Sequence, residues 1–402
     1  MGELNNIVSS ASRENKDNFF FMYQIPLPEK YQKMPREKAF EIIRRCKQEL
    51  GESLVILGHH YQRDDIIQFA DFTGDSLKLS QLAAEQKKAK FIVFCGVHFM
   101  AESADILSGP EQKVLLPDLS AGCSMADMAD IDQVEKCRDN LQARLAKPEK
   151  LVPITYVNSS AAIKAFCGRQ GGICCTSSNC REIFEWVWEQ DREAIILFLP
   201  DEHLGRNTGY AMGIDLAEMN LWDPYEENGG VSPEQIHKSR IFLWKGFCSV
   251  HQGFTLEQVQ QARKKEPEVK VIVHPECNFE VVSNADYVGS TTYIVKVIRA
   301  AKEGSSWVVG TEVNLVNRLA GEMAAHKVKV RSLSSQACLC ETMYRIDPAH
   351  LTWILEHLLE YVRAEGKIKL QNQIIVPSDI KKDALKALEK MLEITAAATK
   401  QD

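Results

Sequence analysis

The chain has 402 residues, 45% of them hydrophobic, and a formal net charge of −7; this is enough apolar material for more than one core, and it gives no footprint for nucleic acid or an anionic membrane as a partner. No apolar run approaches the ~18–20 residues of a membrane span and no signal peptide is visible, so a cytoplasmic protein is expected. In that compartment the twelve cysteines read as core residues, metal ligands or reactive thiols rather than a disulfide framework.

Residues 1–35 are polar, carry Pro26 and Pro28, and read as a loosely packed arm. Strand-like apolar runs then alternate with helical stretches: LVILGHH, the helix-like DSLKLSQLAAEQKK, FIVFCGV and KVLLPDL, followed by LVPITYVN, AIILFLPD and RIFLWKG, then VKVIVHPE, DYVGST, WVVGTEV and VKVRSLS. Buried strands with crossover helices predict α/β architecture with parallel sheets. Towards the C-terminus, Asp347 and Pro348 open a helix through LTWILEHLLEYV, and Pro377-Ser378-Asp379 opens another through DALKALEKMLEI.

The alternation suggests three copies of one unit. Each copy opens with a strand ending in polar groups: His59-His60-Tyr61, Tyr156-Val157-Asn158 and His274-Pro275-Glu276. A hydroxyl-bearing loop follows: Gly74-Asp75-Ser76, Thr176-Ser177-Ser178 and Gly289-Ser290-Thr291. Each copy closes on a cysteine: Cys123, Cys248, and Cys338 or Cys340. Ligands of parallel sheets bind beyond the carboxyl ends of the strands, so three units facing one another would share one central cavity. That gives His59 and Tyr61 a reason to end their strand, although the segment taken alone is explained more readily by packing.

Three thiolates from distant segments suit an iron–sulfur cluster with one iron left open as a Lewis acid. Singly, each is as readily a small buried hydrophobe; Cys46, Cys95 and Cys137 are read that way, while Cys174-Cys175 and Cys180 crowd the Ser177 loop. The hydroxyl loops can hold an anion or merely cap helices. No Walker or GxGxxG pattern supports nucleotide binding. His251, His274 and Glu276 are acid–base candidates, and PDEHLGRN (200–207) is either functional or an ion-paired turn holding two domains together.

The chain resembles the quinolinate synthases. The resemblance spans most of residues 38–362 and rests on GHHYQ with ADFTGDS, GVHFMAE, YVNSSAAIKA, TSSN, PDEHLGR, WKGFCSVH, VHPEC, DYVGST and CLCETM. It implies three similar α/β domains with short parallel sheets around a pseudo-threefold axis, with the active site and a 4Fe–4S cluster at the centre. The expected domains are 38–125, with the C-terminal helices of 345–398 packed on it, 126–250, and 251–344. The resemblance implies Cys123, Cys248 and Cys340 as the cluster ligands. It also implies condensation of iminoaspartate, supplied by an aspartate oxidase or dehydrogenase, with dihydroxyacetone phosphate to give quinolinate, phosphate and water in NAD biosynthesis; the iron–sulfur assembly machinery would be a further partner. Carried over by motif, His59 and Ser76 contact substrate carboxylate, Tyr61 is a catalytic hydroxyl, and Tyr156, Asn158 and Ser177 line the pocket. His251, His274, Glu276, Ser290 and Thr291 complete it, with His251, His274 and Glu276 in catalytic positions.

Three features depart from the family pattern. Glu341 follows Cys340 where many members have proline, and Cys338 lies two residues before it. The segments 168–174 and 207–238 are long and read as surface elaborations, the first able to cover the pocket. Two rival readings stand beside the resemblance: a zinc hydrolase using Cys248, His251 and a third ligand, and an iron–sulfur redox sensor.

Overall fold

The computed structural model describes residues 24–336 and 338–398. Its strands form three sheets. The first contains β1 (Leu54–His59), β2 (Phe72–Gly74), β3 (Phe91–Cys95) and β4 (Lys113–Leu115). The second contains β5 (Leu151–Tyr156), β6 (Ile173–Cys175), β7 (Ile195–Leu199), β8 (Met219–Trp222) and β9 (Ile241–Trp244). The third contains β10 (Lys270–Val273), β11 (Tyr287–Val288), β12 (Ser306–Gly310) and β13 (Lys329–Ser332). A late strand, β14 (Gln373–Ile374), pairs antiparallel with β4; every other pairing is parallel.

The repeat is written in the strand order. The sheets run β4-β3-β1-β2, β9-β7-β5-β6 and β13-β12-β10-β11, with β14 added outside β4 and β8 outside β9. Strands β1, β3 and β12 are buried along their whole length, as parallel strands covered on both faces must be. Register agrees with the sequence alignment. Gly58 pairs with Cys95, Thr155 with Leu199, and Val273 with Gly310. His59, Tyr156 and His274 are each the next residue, and so are counterparts.

Asp347 caps its helix as expected, accepting from the His350 N–H at 2.9 Å, with Pro348 in the first turn. This helix, Pro348–Arg363, packs on Arg36–Leu50 and shares the first sheet's core through Leu351, Ile354, Leu355 and Leu358. The last helix, Ser378–Ala398, does not follow it. Ala384, Ala387, Leu388 and Met391 join the core of the second sheet, and the helix lies along Ala161–Arg169. Gly168 makes the seat: a Cβ there would stand 2.0 Å from the Asp383 carbonyl oxygen. The expectation that both C-terminal helices pack on the first domain is thus corrected for the second of them: its apolar face is buried in the second sheet's core, and Gly168 leaves room for its backbone.

Two further expectations change. Most of the polar arm, residues 1–23, lies outside the described residues. The part that follows is not loosely packed: Tyr31 is buried and donates its hydroxyl to Glu356 at 3.0 Å, and the Gln24 side chain accepts from the Leu119 N–H at 2.7 Å. The long segments are also more than surface. Ile173 and Cys174 are buried in the second core, and 207–238 contributes β8 as well as the helix Pro233–Lys238. No helix among the described residues is long and apolar enough to cross a membrane.

Candidate active site

Strand ends of all three units line one cavity. His59 and Tyr61 reach it from β1, Tyr156 and Asn158 from β5, and His274 and Glu276 from β10. The hydroxyl loops beyond β2, β6 and β11 add Ser76, Ser177 and Thr291. Ser290 does not line it. Its side chain caps the helix Thr291–Arg299, accepting from the Tyr293 N–H at 3.3 Å, and it lines a neighbouring groove between the second and third units that shares Ser177.

Cys123, Cys248 and Cys340 line the same cavity. Each is the residue immediately before a helix of four residues. Nearby peptide N–H groups of the helices favour the thiolates: those of Met125 and Ala126 at Cys123, of His251 at Cys248, and of Thr342 and Met343 at Cys340. Burial pushes the Cys123 thiol up to about 12 and raises Cys248 and Cys340 as well, while these N–H donors favour the thiolate. Cys338 stands apart: it packs against the third unit's core and does not line the cavity. No other described cysteine lines it either. Three thiols with peptide donors and no fourth cysteine fit a cluster with one open iron.

The acid–base groups form a connected, largely buried network. The Tyr61 hydroxyl lies 2.8 Å from Thr311 Oγ1, accepts from Thr291 Oγ1 at 3.0 Å, and is 3.4 Å from His251 Nε2. Thr311 Oγ1 is itself 3.1 Å from His251 Nε2. On the far side of that ring, Nδ1 lies 2.5 Å from Glu276 Oε2, which is 3.2 Å from His274 Nδ1. The two imidazoles stack at 4.3 Å. Burial raises the Tyr61 phenol far above its ordinary value, with the Glu276 charge adding to it, so Tyr61 keeps its proton at rest. Burial by itself would raise the Glu276 carboxyl, but His274 and His251 together hold it below the usual carboxylate range. Burial lowers His251. It also takes His59 down to about 3, and His59 Nδ1 accepts from the Tyr61 N–H at 3.2 Å. A neutral ring in that setting carries its proton on Nε2.

Thr311 was not visible as a site residue in the sequence. The signal that could have found it is its place just past the end of β12, the strand beside β10. PDEHLGRN also takes its place here: Asp201 caps the helix Glu202–Ala211 and accepts from the Cys248 N–H at 3.2 Å. It thereby fixes one of the thiol-bearing turns.

The chain matches the family described as Quinolinate synthetase A protein (NadA) over residues 41–393. It belongs to that family. It is 52% identical over 364 residues to the quinolinate synthase of Acidobacterium capsulatum, covering 90% of this chain and 95% of that protein. It is 52% identical over 373 residues to that of Geobacillus thermodenitrificans, covering 92% and 96%. The quinolinate synthase of Corynebacterium glutamicum is 50% identical over 372 residues, covering 92% and 91%. The chain is an enzyme of this type, and the cavity just described is where the strand ends of its three sheets meet.

Proposed function

We propose that the chain condenses iminoaspartate with dihydroxyacetone phosphate to quinolinate, phosphate and water in cytoplasmic NAD biosynthesis, its three units standing about a pseudo-threefold axis. The observation that carries this reading is the meeting of three thiols with the acid–base network in one cavity. Cys123, Cys248 and Cys340 would hold a 4Fe–4S cluster delivered by the iron–sulfur assembly machinery, and an aspartate oxidase or dehydrogenase would supply the imine. When bound, the open iron supplies a Lewis acid for oxygen groups of the substrate.

The residues do the rest. His59, neutral and with its proton on Nε2, donates to a substrate carboxylate without the desolvation cost of a buried imidazolium. Ser76 and Ser177 add hydroxyl donors, and Tyr156 and Asn158 shape the second wall. Tyr61 gives a proton to substrate oxygen and is resupplied through Thr311 and His251, so a buried phenolate need never persist. Glu276, held ionised between two imidazoles, draws a proton in the other direction during isomerisation and ring closure, with His274 as its partner. Thr291 holds the Tyr61 hydroxyl in place.

Anaerobic reconstitution with iron and sulfide followed by assay for quinolinate tests the proposal; a brown, fully loaded protein that makes none would defeat it. A second reading has its own observation. The ligand atoms of Cys248, His251 and Glu276 lie within 4.8 Å of one another, a mixed set that suits zinc. A colourless protein, active with one zinc and indifferent to iron and sulfide, would favour a hydrolase.

A further inference from the structure

The two reactive side chains sit on turns whose peptide groups are completed from different units. In the turn after β1, the donors are satisfied within the first unit. The N–H of His60 goes to Gly74 O at 3.1 Å, that of Tyr61 to His59 Nδ1 at 3.2 Å, and that of Gln62 to His59 O at 2.9 Å. The acceptors are satisfied from the third unit, by the helix Val313–Ala324 that follows β12. One guanidinium, Arg318, donates to His60 O at 3.0 Å, to Gln62 O at 2.6 Å and to Asp64 Oδ1 at 2.7 Å. Asn314 of the same helix donates to the carbonyl between them, Tyr61 O, at 3.4 Å.

The Glu276 turn repeats the device. Asn207, buried on the helix that follows β7 in the second unit, donates through Nδ2 to Pro275 O and to Cys277 O, both at 2.8 Å. The helix that follows β3 reaches the second unit in its turn: Glu102 accepts from the Ala161 N–H at 3.0 Å, just beyond the Asn158 turn. The contacts therefore run cyclically, from first unit to second, second to third, and third to first.

We propose that Arg318 and Asn207 are positioning residues, each gripping from a neighbouring unit the peptide carbonyls on both sides of a reactive side chain, Tyr61 and Glu276 respectively. This rests on the roles given to those two residues above. Holding the carbonyls before and after a residue restricts its backbone dihedrals together with those of its neighbour, and hence where its side chain points. An error of about 1 Å at a reacting group costs on the order of 10² in rate. Lysine cannot replace Arg318, since a single ammonium cannot match the planar fork that spans two carbonyls and a carboxylate.

The test uses the reconstituted full chain with Arg318→Lys, Asn207→Ala, Tyr61→Phe, Glu276→Gln and the matched doubles. Each positioning variant should lose roughly 10- to 100-fold in kcat with KM and iron content close to the parent. Arg318→Lys should cost little more than about twofold once Tyr61 is already Phe, and Asn207→Ala little more once Glu276 is already Gln, because a grip has no value when the group it aims is gone. Amide exchange in the peptide spanning Gly58–Asp65 should quicken in Arg318→Lys, and in that spanning Val273–Asn278 in Asn207→Ala. A positioning variant that keeps the parent rate, that costs its full factor in the matched double, or that leaves its turn's exchange unchanged overturns the proposal for that residue. Failure of the underlying reading looks different: Tyr61→Phe or Glu276→Gln would itself turn over at the parent rate. If Arg318→Lys or Asn207→Ala does not fold, Arg318→Gln and Asn207→Ser carry the same comparison.

Discussion

The cavity takes two kinds of contribution from its three units, and they differ in kind. At the cysteine positions the units give the same thing: a thiol at the head of a one-turn helix with peptide N–H groups near the sulfur. At the strand ends they give different things: His59 with Tyr61, Tyr156 with Asn158, His274 with Glu276. On the function proposed above, a repeated scaffold keeps equivalence where a cluster would ask for three like ligands. It gives equivalence up where an asymmetric reaction needs a donor on one side and a base on another.

The largest test of that contrast lies at the thiols. Cys123→Ala, Cys248→Ala and Cys340→Ala should each lose the reconstituted cluster and all measurable quinolinate formation, by iron and sulfide analysis beside the assay, whereas Cys338→Ala should keep both. Loss of iron from the Cys338 variant with retention in Cys340→Ala would move the third ligand and break the equivalence. Air should bleach the parent protein and remove its activity together, since an iron with an exchangeable ligand is open to oxidants.

The next effect is at the unequal set. Tyr61→Phe should keep its cluster and lose on the order of 10²–10⁴ in rate, the span of a general acid–base group; a parent rate would leave the tyrosine a packing residue. Within the same turn, His59→Gln should harm activity far more than His60→Gln. His60 does not line the cavity, and strand side chains alternate.

Acid should separate the turns by stability. Burial takes His59 from 6.5 to about 3 and His60 to about 4. The unfolded chain therefore binds more protons than the folded one below pH 6.5, and stability falls as pH drops from there towards 4. Thermal unfolding across that window should flatten in a His59→Gln, His60→Gln double variant. The smallest change belongs to Ser290→Ala: loss of a helix cap, about 1 kcal/mol, with turnover nearly unchanged, because the serine itself does not line the cavity. A large fall in rate would return it to the site.

These contrasts also mark what could be read from the chain alone. The strand-end triplets and the three cysteines were legible because polar groups breaking a run of buried apolar residues have few structural reasons to be there. Ser290 and Thr291 were not separable, since one hydroxyl caps while its neighbour turns inward, and only the register of β11 decides which. Cys338 and Cys340 share a face by spacing, and the third unit's core claims the first of them. Thr311 was hidden because a threonine after a strand is ordinary; its weight comes from standing between Tyr61 and His251, residues 250 and 60 positions away in the chain. The last helix was predicted as a helix but assigned to the wrong neighbour, because an amphipathic stripe names no partner.

The return of the chain at β14 has a consequence for the order in which the protein is made. Among the described residues, the outer edge of the first sheet's β4 is closed by Gln373–Ile374, and the carbonyls of the Tyr61 turn are held by Asn314 and Arg318. A nascent chain that has emerged through β4 therefore holds an open strand edge and a half-bonded tyrosine turn until more than two hundred further residues have been translated. Open edges invite pairing with other chains. The unit made first thus waits from β4 to β14 for its last strand, longer than the second unit waits from β9 for the helix Ser378–Ala398, and through that interval its edge stays open to wrong pairing.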